Sequence, residues 1–171
     1  RVTDLKWHLP KVNFLIVRNG KEIRASLSAD FDAEEFPSGF KAKMSLISGA
    51  REVDVNLAIE KIPLDHIASA LPAFEVLEAV RIAVSGKINA RVSFQGNIRD
   101  ASFKFSGRGG AISKGGFWPK DISIADLDVR GKFENDPAFI EIEHLGLKLD
   151  GSKVVLAGSA ISVDEGITID G

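Results

Sequence analysis

Three histidines are the side chains best suited to acid–base or metal chemistry in this chain: His8, His66 and His144. They lie far apart in sequence, and none belongs to an H-E-x-x-H pattern, which would place two ring nitrogens on one helix face. Because the chain contains no cysteine, it has neither a thiolate nucleophile nor a Cys-based zinc site. We therefore expect structural or surface roles for the histidines and no metal site.

Paired carboxylates could supply an acid and a base, and the chain offers Glu34-Glu35 and Glu141/Glu143. Glu141 and Glu143 alternate with Ile140 and Ile142, which is typical of the solvated face of a strand. No serine stands in a G-x-S-x-G turn, the usual setting of a hydrolase nucleophile. The sequence predicts that the chain is not an enzyme and needs no cofactor.

A glycine-rich tract, GRGGAISKGG at 107–116, is the segment closest to a phosphate-binding loop. It lacks the Gly-Lys-Ser/Thr ending and does not open a convincing helix, so we expect a turned β connection instead. The net charge is −2, and lysines and arginines are scattered through the strands. This distribution argues against nucleic-acid binding and against a polybasic membrane patch.

The elements that would position any site are mostly strands. Residues alternate between apolar and polar over 23–31, 40–46, 53–59 and 88–94, which is the period of a half-buried strand. Asn19-Gly20 predicts a type I′ hairpin turn, Asp150-Gly151 predicts another turn, and 32–38 is expected to be a loop. Changes of phase near Ala125 and His144 predict β-bulges. The expected fold is mainly β: a twisted, curled antiparallel sheet that is groove-like or partly closed.

One segment, Ile62 to Val84, has helical spacing. Leu64, Ile67, Ala68 and Leu71 recur at three and four residues, and Pro72 would kink the helix. We expect a short kinked helical cap near 63–81, between a first β-meander at 1–62 and a second at 82–171. A chain of 171 residues suits one β-rich domain. The abrupt start at Arg1, with neither a signal peptide nor a transmembrane run, suggests a fragment of a larger protein.

Residues 61–160 carry a family resemblance. In order they contain IPLDHIASALP, VSGKINARVSFQG, FSGRGGAI, GGFWPKDISIADLDVRGKF and IEHLGLKLDGSKVVLAGSA. This succession resembles the AsmA-like family of Gram-negative envelope proteins, the group that includes AsmA, TamB and YhdP. The resemblance implies a periplasmic repeat region of a protein anchored in the inner membrane by parts outside this fragment. It also implies a curled sheet whose apolar inner surface carries phospholipid between membranes.

Phenylalanine dominates the aromatic residues, with eleven Phe, two Trp and no Tyr. Phe buries area without needing a polar partner, so a Phe-rich strand face suits either an ordinary packed core or a groove for acyl chains. The candidate lipid-contacting residues are Phe94, Phe103, Phe105, Phe133, Phe139, Ile88 and Val92.

Two functions follow from these observations. The first is a non-catalytic, periplasmic module that contributes an apolar groove for phospholipid acyl chains. The alternative is a structural or assembly module of the envelope, whose open sheet edges would accept a strand from an outer-membrane protein partner. A sealed core would favour the assembly module, and an open apolar trough would favour the lipid-binding module.

Overall fold

The structure, a computed structural model, describes residues 11–33, 36–64, 79–113, 120–135, 138–163 and 166–170. Strands account for almost all of them. The eleven strands are β1 (Lys11–Asn19), β2 (Glu22–Ala33), β3 (Phe36–Ile47), β4 (Glu52–Pro63), β5 (Val80–Arg81), β6 (Ala83–Ser93), β7 (Ile98–Ile112), β8 (Ile122–Asn135), β9 (Ala138–Leu149), β10 (Ser152–Val163) and β11 (Gly166–Asp170).

All strands join one antiparallel sheet. Ten of them follow the chain in the order β1-β2-β3-β4-β6-β7-β8-β9-β10-β11, and the short β5 pairs with the far end of β7. The two predicted meanders are continuous, because β4 pairs directly with β6. The sheet does not close into a barrel, so β1 and β11 are its edges in the described part of the chain. The predicted fold class, a mainly β antiparallel sheet, is confirmed.

Both predicted β-bulges are confirmed. In the pairing of β8 with β9, the register shifts between Ile124 and Asp126 and again between Arg130 and Gly131. The first shift leaves Ala125 as the extra residue on β8, and the second leaves Glu143 as the extra residue on β9. A bulge re-aims the following side chains. Each one therefore keeps apolar residues on one face although the sequence changes phase.

The hairpin at the start of the sheet forms one residue later than predicted. Asn19 pairs with Glu22, so the two loop residues are Gly20 and Lys21. Gly20 has φ +60, and glycine with positive φ at the first central position is the pattern of a type II′ turn. The predicted type I′ turn over Asn19-Gly20 is therefore wrong. The predicted Asp150-Gly151 turn is confirmed, because Leu149 pairs with Ser152.

Two predicted connections are strand in residues that the structure describes. Residues 32–38 were expected to be a loop, yet Asp32 pairs with Pro37 and Ala33 with Phe36. Backbone pairing extends through these residues because strand ladders depend on peptide groups and tolerate polar side chains. The glycine-rich tract likewise continues β7 as far as Ile112.

Close packing explains the glycines in β7. A Cβ on Gly110 would lie 2.6 Å from the carbonyl oxygen of Arg81 and 2.7 Å from the Cβ of Ile82. A Cβ on Gly107 would lie 2.9 Å from the Cδ1 of Ile82. Real side chains do not approach so closely, so these glycines leave the space that Ile82 fills.

The small buried core lies at the end of the sheet where β5 pairs with β7. Ile82, Val84 and Ile124 are almost fully buried there, with exposed fractions of 3%, 2% and 1%. The partly buried hydrophobic residues packed against them are Ile59, Leu64, Val80, Ile112, Leu127, Leu147 and Leu149.

The predicted helical cap at 63–81 is tested only at its ends. Pro63 is the last residue of β4 and Val80–Arg81 form β5, so the outermost residues of the predicted range are strand. Just inside them, Leu64 is helical and Ala79 lies in a 3-10 turn. The remainder, 65–78, lies outside the described residues.

Candidate functional site

The register of the sheet collects the apolar residues on one surface, which we call the apolar face. Directly opposed residues on neighbouring antiparallel strands point to the same side of a sheet. The central row of the apolar face crosses nine strands and consists of Phe14, Leu27, Ala42, Leu57, Ile88, Phe103, Gly131, Ile142 and Gly158.

Two flanking rows extend this surface along the strands. One contains Val12, Ala29, Phe40, Ile59, Gly86, Phe105, Val129, Leu145 and Leu156, and the other contains Ile16, Ala25, Met44, Val55, Ala90, Ala101, Phe133 and Ile140. None of the three rows contains a polar side chain. Eight strand spacings of about 4.8 Å, with rows about 7 Å apart along the strands, make a surface larger than a typical apolar patch.

Most of the apolar face stays accessible to solvent. Phe14 is 62% exposed, Ile140 43% and Leu156 55%, and residues at the centre such as Ile88 and Phe103 are half-buried. Among the described members of the three rows, only Ala29 and Gly131 are buried. In a two-layer β protein the central rows would be buried against a second layer. The described residues provide no such layer.

Phe103 and Phe105 form the centre of the apolar face. Both belong to β7, and their rings stack with centroids 6.0 Å apart. Each ring covers a glycine on a neighbouring strand: the ring of Phe103 lies over Gly131 on β8, and that of Phe105 over Gly86 on β6. A ring packed over a strand glycine covers backbone that has no side chain of its own. The two rings thus join β6, β7 and β8 into one smooth apolar surface.

Five of the seven predicted lipid-contacting residues share this surface. Phe103, Phe105 and Ile88 have central positions, Phe133 lies in the adjacent row, and Val92 pairs with Val53 and Ile98 on the same side. The structure places the other two elsewhere. Phe94 lies in the turn after β6 and is 63% exposed. Phe139 pairs with Glu134, so it points to the opposite face.

The sequence analysis missed many members of the apolar face, among them Phe40, Leu57 and Leu145. Their alternation with polar residues was visible in the sequence. What linked them to Phe103 was the register between strands, which a single alternating segment does not specify.

The opposite surface, which we call the polar face, contains cross-strand ion pairs. Across strands, Arg91 and Asp100 approach to 2.6 Å and Lys132 and Glu143 to 2.5 Å; within β2, Arg24 and Glu22 approach to 2.7 Å. Hydrogen bonding from Lys132 lowers the pKa of the Glu143 carboxyl, and hydrogen bonding from Arg24 lowers that of Glu22. One shallow depression, with a volume of about 960 Å³, is lined by polar residues of this face such as Glu52, Arg91 and Asp100.

His144 is the one histidine within the described ranges. His144 lies 3.8 Å from Asp128 on the polar face and has no second ring or carboxylate partner among the ion pairs there. No group of three or more metal-ligating side chains occurs in the described ranges. His8, His66 and Glu34-Glu35 fall outside those ranges.

Comparisons with known proteins identify no relative of this chain. No protein-family model matches the chain, and neither the curated proteins nor the solved structures give a significant match. The resemblance to AsmA-like proteins therefore stays a prediction. Across the described segments, no helix has both the length and the apolar character needed to span a bilayer.

Proposed function

We propose that the chain is a lipid-handling module: its apolar face solvates the acyl chains of phospholipids, and its polar face meets water. The observation that carries the proposal is the row of apolar residues that crosses nine strands and whose large side chains at the centre stay partly exposed. Exposed apolar patches of this size mark surfaces that bind lipid or protein. A non-catalytic module of an AsmA-like periplasmic protein is the setting that best combines this surface with the sequence resemblance.

The mechanism needs no covalent chemistry. An acyl chain laid across the strands replaces water over Ile88, Phe103 and their neighbours, and each buried CH₂ group contributes about 0.8 kcal/mol. The flat, non-directional character of this contact suits chains that slide along the sheet. Anchoring in the inner membrane would come from parts of the parent protein outside these residues.

Site-specific fluorescence tests the proposal. Because the chain has no cysteine, a polarity-sensitive dye can be attached to a single introduced cysteine. Ile88→Cys places the dye on the apolar face, and Asn89→Cys, its neighbour in β6, places it on the polar face. Added phospholipid should shift the emission of the dye at 88 to the blue and leave that at 89 unchanged. Equal shifts at both positions, or none at 88, would refute the proposal.

Native mass spectrometry of the purified chain, with lipid extraction from the same sample, supplies an independent measurement. Phospholipid bound at near-stoichiometric amounts agrees with the proposal. A folded sample that stays free of lipid after phospholipid is added argues against it.

One observation favours the alternative, an assembly module that binds an envelope protein by strand addition. Every residue of β1 is exposed, including Phe14, Leu15 and Ile16, and β1 is an edge of the sheet. An apolar edge strand with unpaired peptide groups is a template for another strand.

Charged residues on this edge distinguish the two functions. Leu15→Lys together with Val17→Lys changes only the side of β1 that faces away from the apolar face. The double variant should lose binding of a partner strand, measured by sedimentation with the candidate envelope protein, and should keep its lipid response at position 88. If the lipid response were lost and partner binding stayed intact, both expectations would be wrong, and the edge strand β1 would be assigned to lipid binding.

A further inference from the structure

A row of positive side chains crosses the polar face, formed by residues that are far apart in sequence. Lys87 on β6 pairs directly with Lys104 on β7, and Lys104 pairs directly with Arg130 on β8. Two strands away on the other side, Lys41 on β3 lies in the same row, separated from Lys87 by Ala58. We call Lys41, Lys87, Lys104 and Arg130 the cationic row.

The lysines of this row have no ion-pair partner among the described residues. Asp30, Glu60 and Asp128 are their diagonal neighbours in the register, but none of these carboxylates approaches a lysine of the row within salt-bridge distance. Arg130 shares Glu143 with Lys132, at 3.9 Å against 2.5 Å for the lysine. The pairs formed elsewhere on the polar face, such as Arg91 with Asp100, show that the register can match opposite charges.

Like charges directly opposite each other on neighbouring strands destabilise a sheet. Two consecutive pairs of this kind, Lys87 with Lys104 and Lys104 with Arg130, should therefore lower the stability of the sheet. An anion bound between the side chains would remove the repulsion. Coulomb attraction and charge-assisted hydrogen bonds would both contribute.

The surroundings offer further donors and enough room. A depression of about 580 Å³ is lined by Lys41, Lys87 and Lys104 together with the hydroxyl-bearing Ser85 and Ser106. Asp30 and Glu60 also line it, which leaves three cations against two carboxylates. Lysine ammonium groups and serine hydroxyls are donors that suit phosphate oxygens.

We propose that the cationic row is a binding site for a phosphate-bearing anion. It lies on the side of the sheet opposite the apolar face, so this site does not depend on the proposed lipid contact. The phosphate could belong to a soluble phosphoester or to a lipid headgroup at a membrane surface, and the experiment separates these sources.

The test compares two double variants that remove equal charge. Lys87→Gln with Lys104→Gln removes the centre of the row, and Lys11→Gln with Lys153→Gln removes two lysines from other strands, β1 and β10. Binding of glycerol 3-phosphate is measured by calorimetry at low ionic strength, where screening is weak. Vesicles of phosphatidylglycerol, compared with phosphatidylcholine, are measured by sedimentation.

The first variant should weaken binding at least about tenfold, and the second should stay close to the wild type. Binding of glycerol 3-phosphate assigns the site to soluble phosphoesters, whereas binding of anionic vesicles alone assigns it to headgroups. Equal loss in both variants, or no binding of either probe by the wild type, would overturn the proposal.

Thermal unfolding without ligand provides a second readout that does not require binding. Removal of the opposed lysines should raise the unfolding midpoint by about 1–3 °C, because the repulsion between them is relieved. A lower midpoint would show that Lys87 and Lys104 stabilise the sheet without ligand and would contradict the inferred repulsion between them.

Discussion

The ring of Phe103 occupies the space above Gly131, its directly opposed partner on the next strand. A Cβ on Gly131 would lie 2.7 Å from the Cζ of Phe103 and would also press on the carbonyl oxygen of Glu141. The ring of Phe103 therefore packs on the backbone of Gly131, in the space that a side chain there would fill. This pairing keeps the centre of the apolar face closely packed within a single layer.

Gly131→Ala should therefore destabilise the sheet by about 1–3 kcal/mol, because the ring of Phe103 and the neighbouring backbone must shift. The free energy of unfolding from denaturant titration measures this loss. In a Phe103→Leu background the same substitution should cost less, since the distal ring atoms are gone. An equal cost in both backgrounds would show that the ring of Phe103 does not restrict position 131.

The buried core at one end of the sheet should dominate stability. Ile124 is 1% exposed. Ile140, in a flanking row of the apolar face, is 43% exposed. Ile124→Ala should cost about 2–4 kcal/mol, and Ile140→Ala about 1 kcal/mol or less, because less apolar area is lost at an exposed site. Both values come from denaturant unfolding. Similar losses at the two positions would mean that a second layer covers the apolar face.

Charges introduced on the two faces should separate lipid binding from folding. Phe103→Asp places a carboxylate at the centre of the apolar face, where an acyl chain would have to desolvate it, so lipid binding should be lost. Phe139→Asp makes the same change on the polar face, and lipid binding should persist. Lipid binding is measured by native mass spectrometry after circular dichroism has verified that both variants are folded. Retention of lipid by Phe103→Asp would remove this residue from the proposed surface.

The pH dependence of stability should reflect the pair formed by Lys132 and Glu143. Hydrogen bonding from Lys132 lowers the pKa of Glu143 below the ordinary value of a glutamate. The pair therefore stabilises the fold above about pH 4.5, and this contribution is lost as the pH falls through the lowered pKa. Lys132→Gln should raise the pKa of Glu143, which carboxyl-detected NMR titration measures. The stability difference between variant and wild type should vanish in acid, and a difference that persists at low pH would point to another cause.

Much of the fold followed from local patterns. Period-two alternation specifies a strand with one apolar side, and the phase changes at Ala125 and His144 located both bulges because the apolar side must be kept. Polar composition favoured a loop at 32–38, and glycine content favoured a turned connection at 107–116. Residues 32–33, 36–38 and 107–112 are nevertheless strand for reasons outside their own sequence: backbone pairing of β2 with β3 and of β7 with β8, and the space needed by Ile82.

The candidate surfaces depended on more than local pattern. The sequence by itself determined that apolar and polar residues would separate onto two faces, and that Phe103 and Phe105 would share one of them, because side chains two apart in a strand point to the same side. Only the tertiary structure decided which strands lie side by side, and hence that Phe139 faces away from Phe103. The lysines are scattered along the sequence and do not indicate a basic patch, yet the strand register places Lys87 directly opposite Lys104. Strand pairing brings together residues that are distant in the chain. The sequence pattern of one strand therefore predicts which residues share a face, but not which residues of other strands lie opposite them.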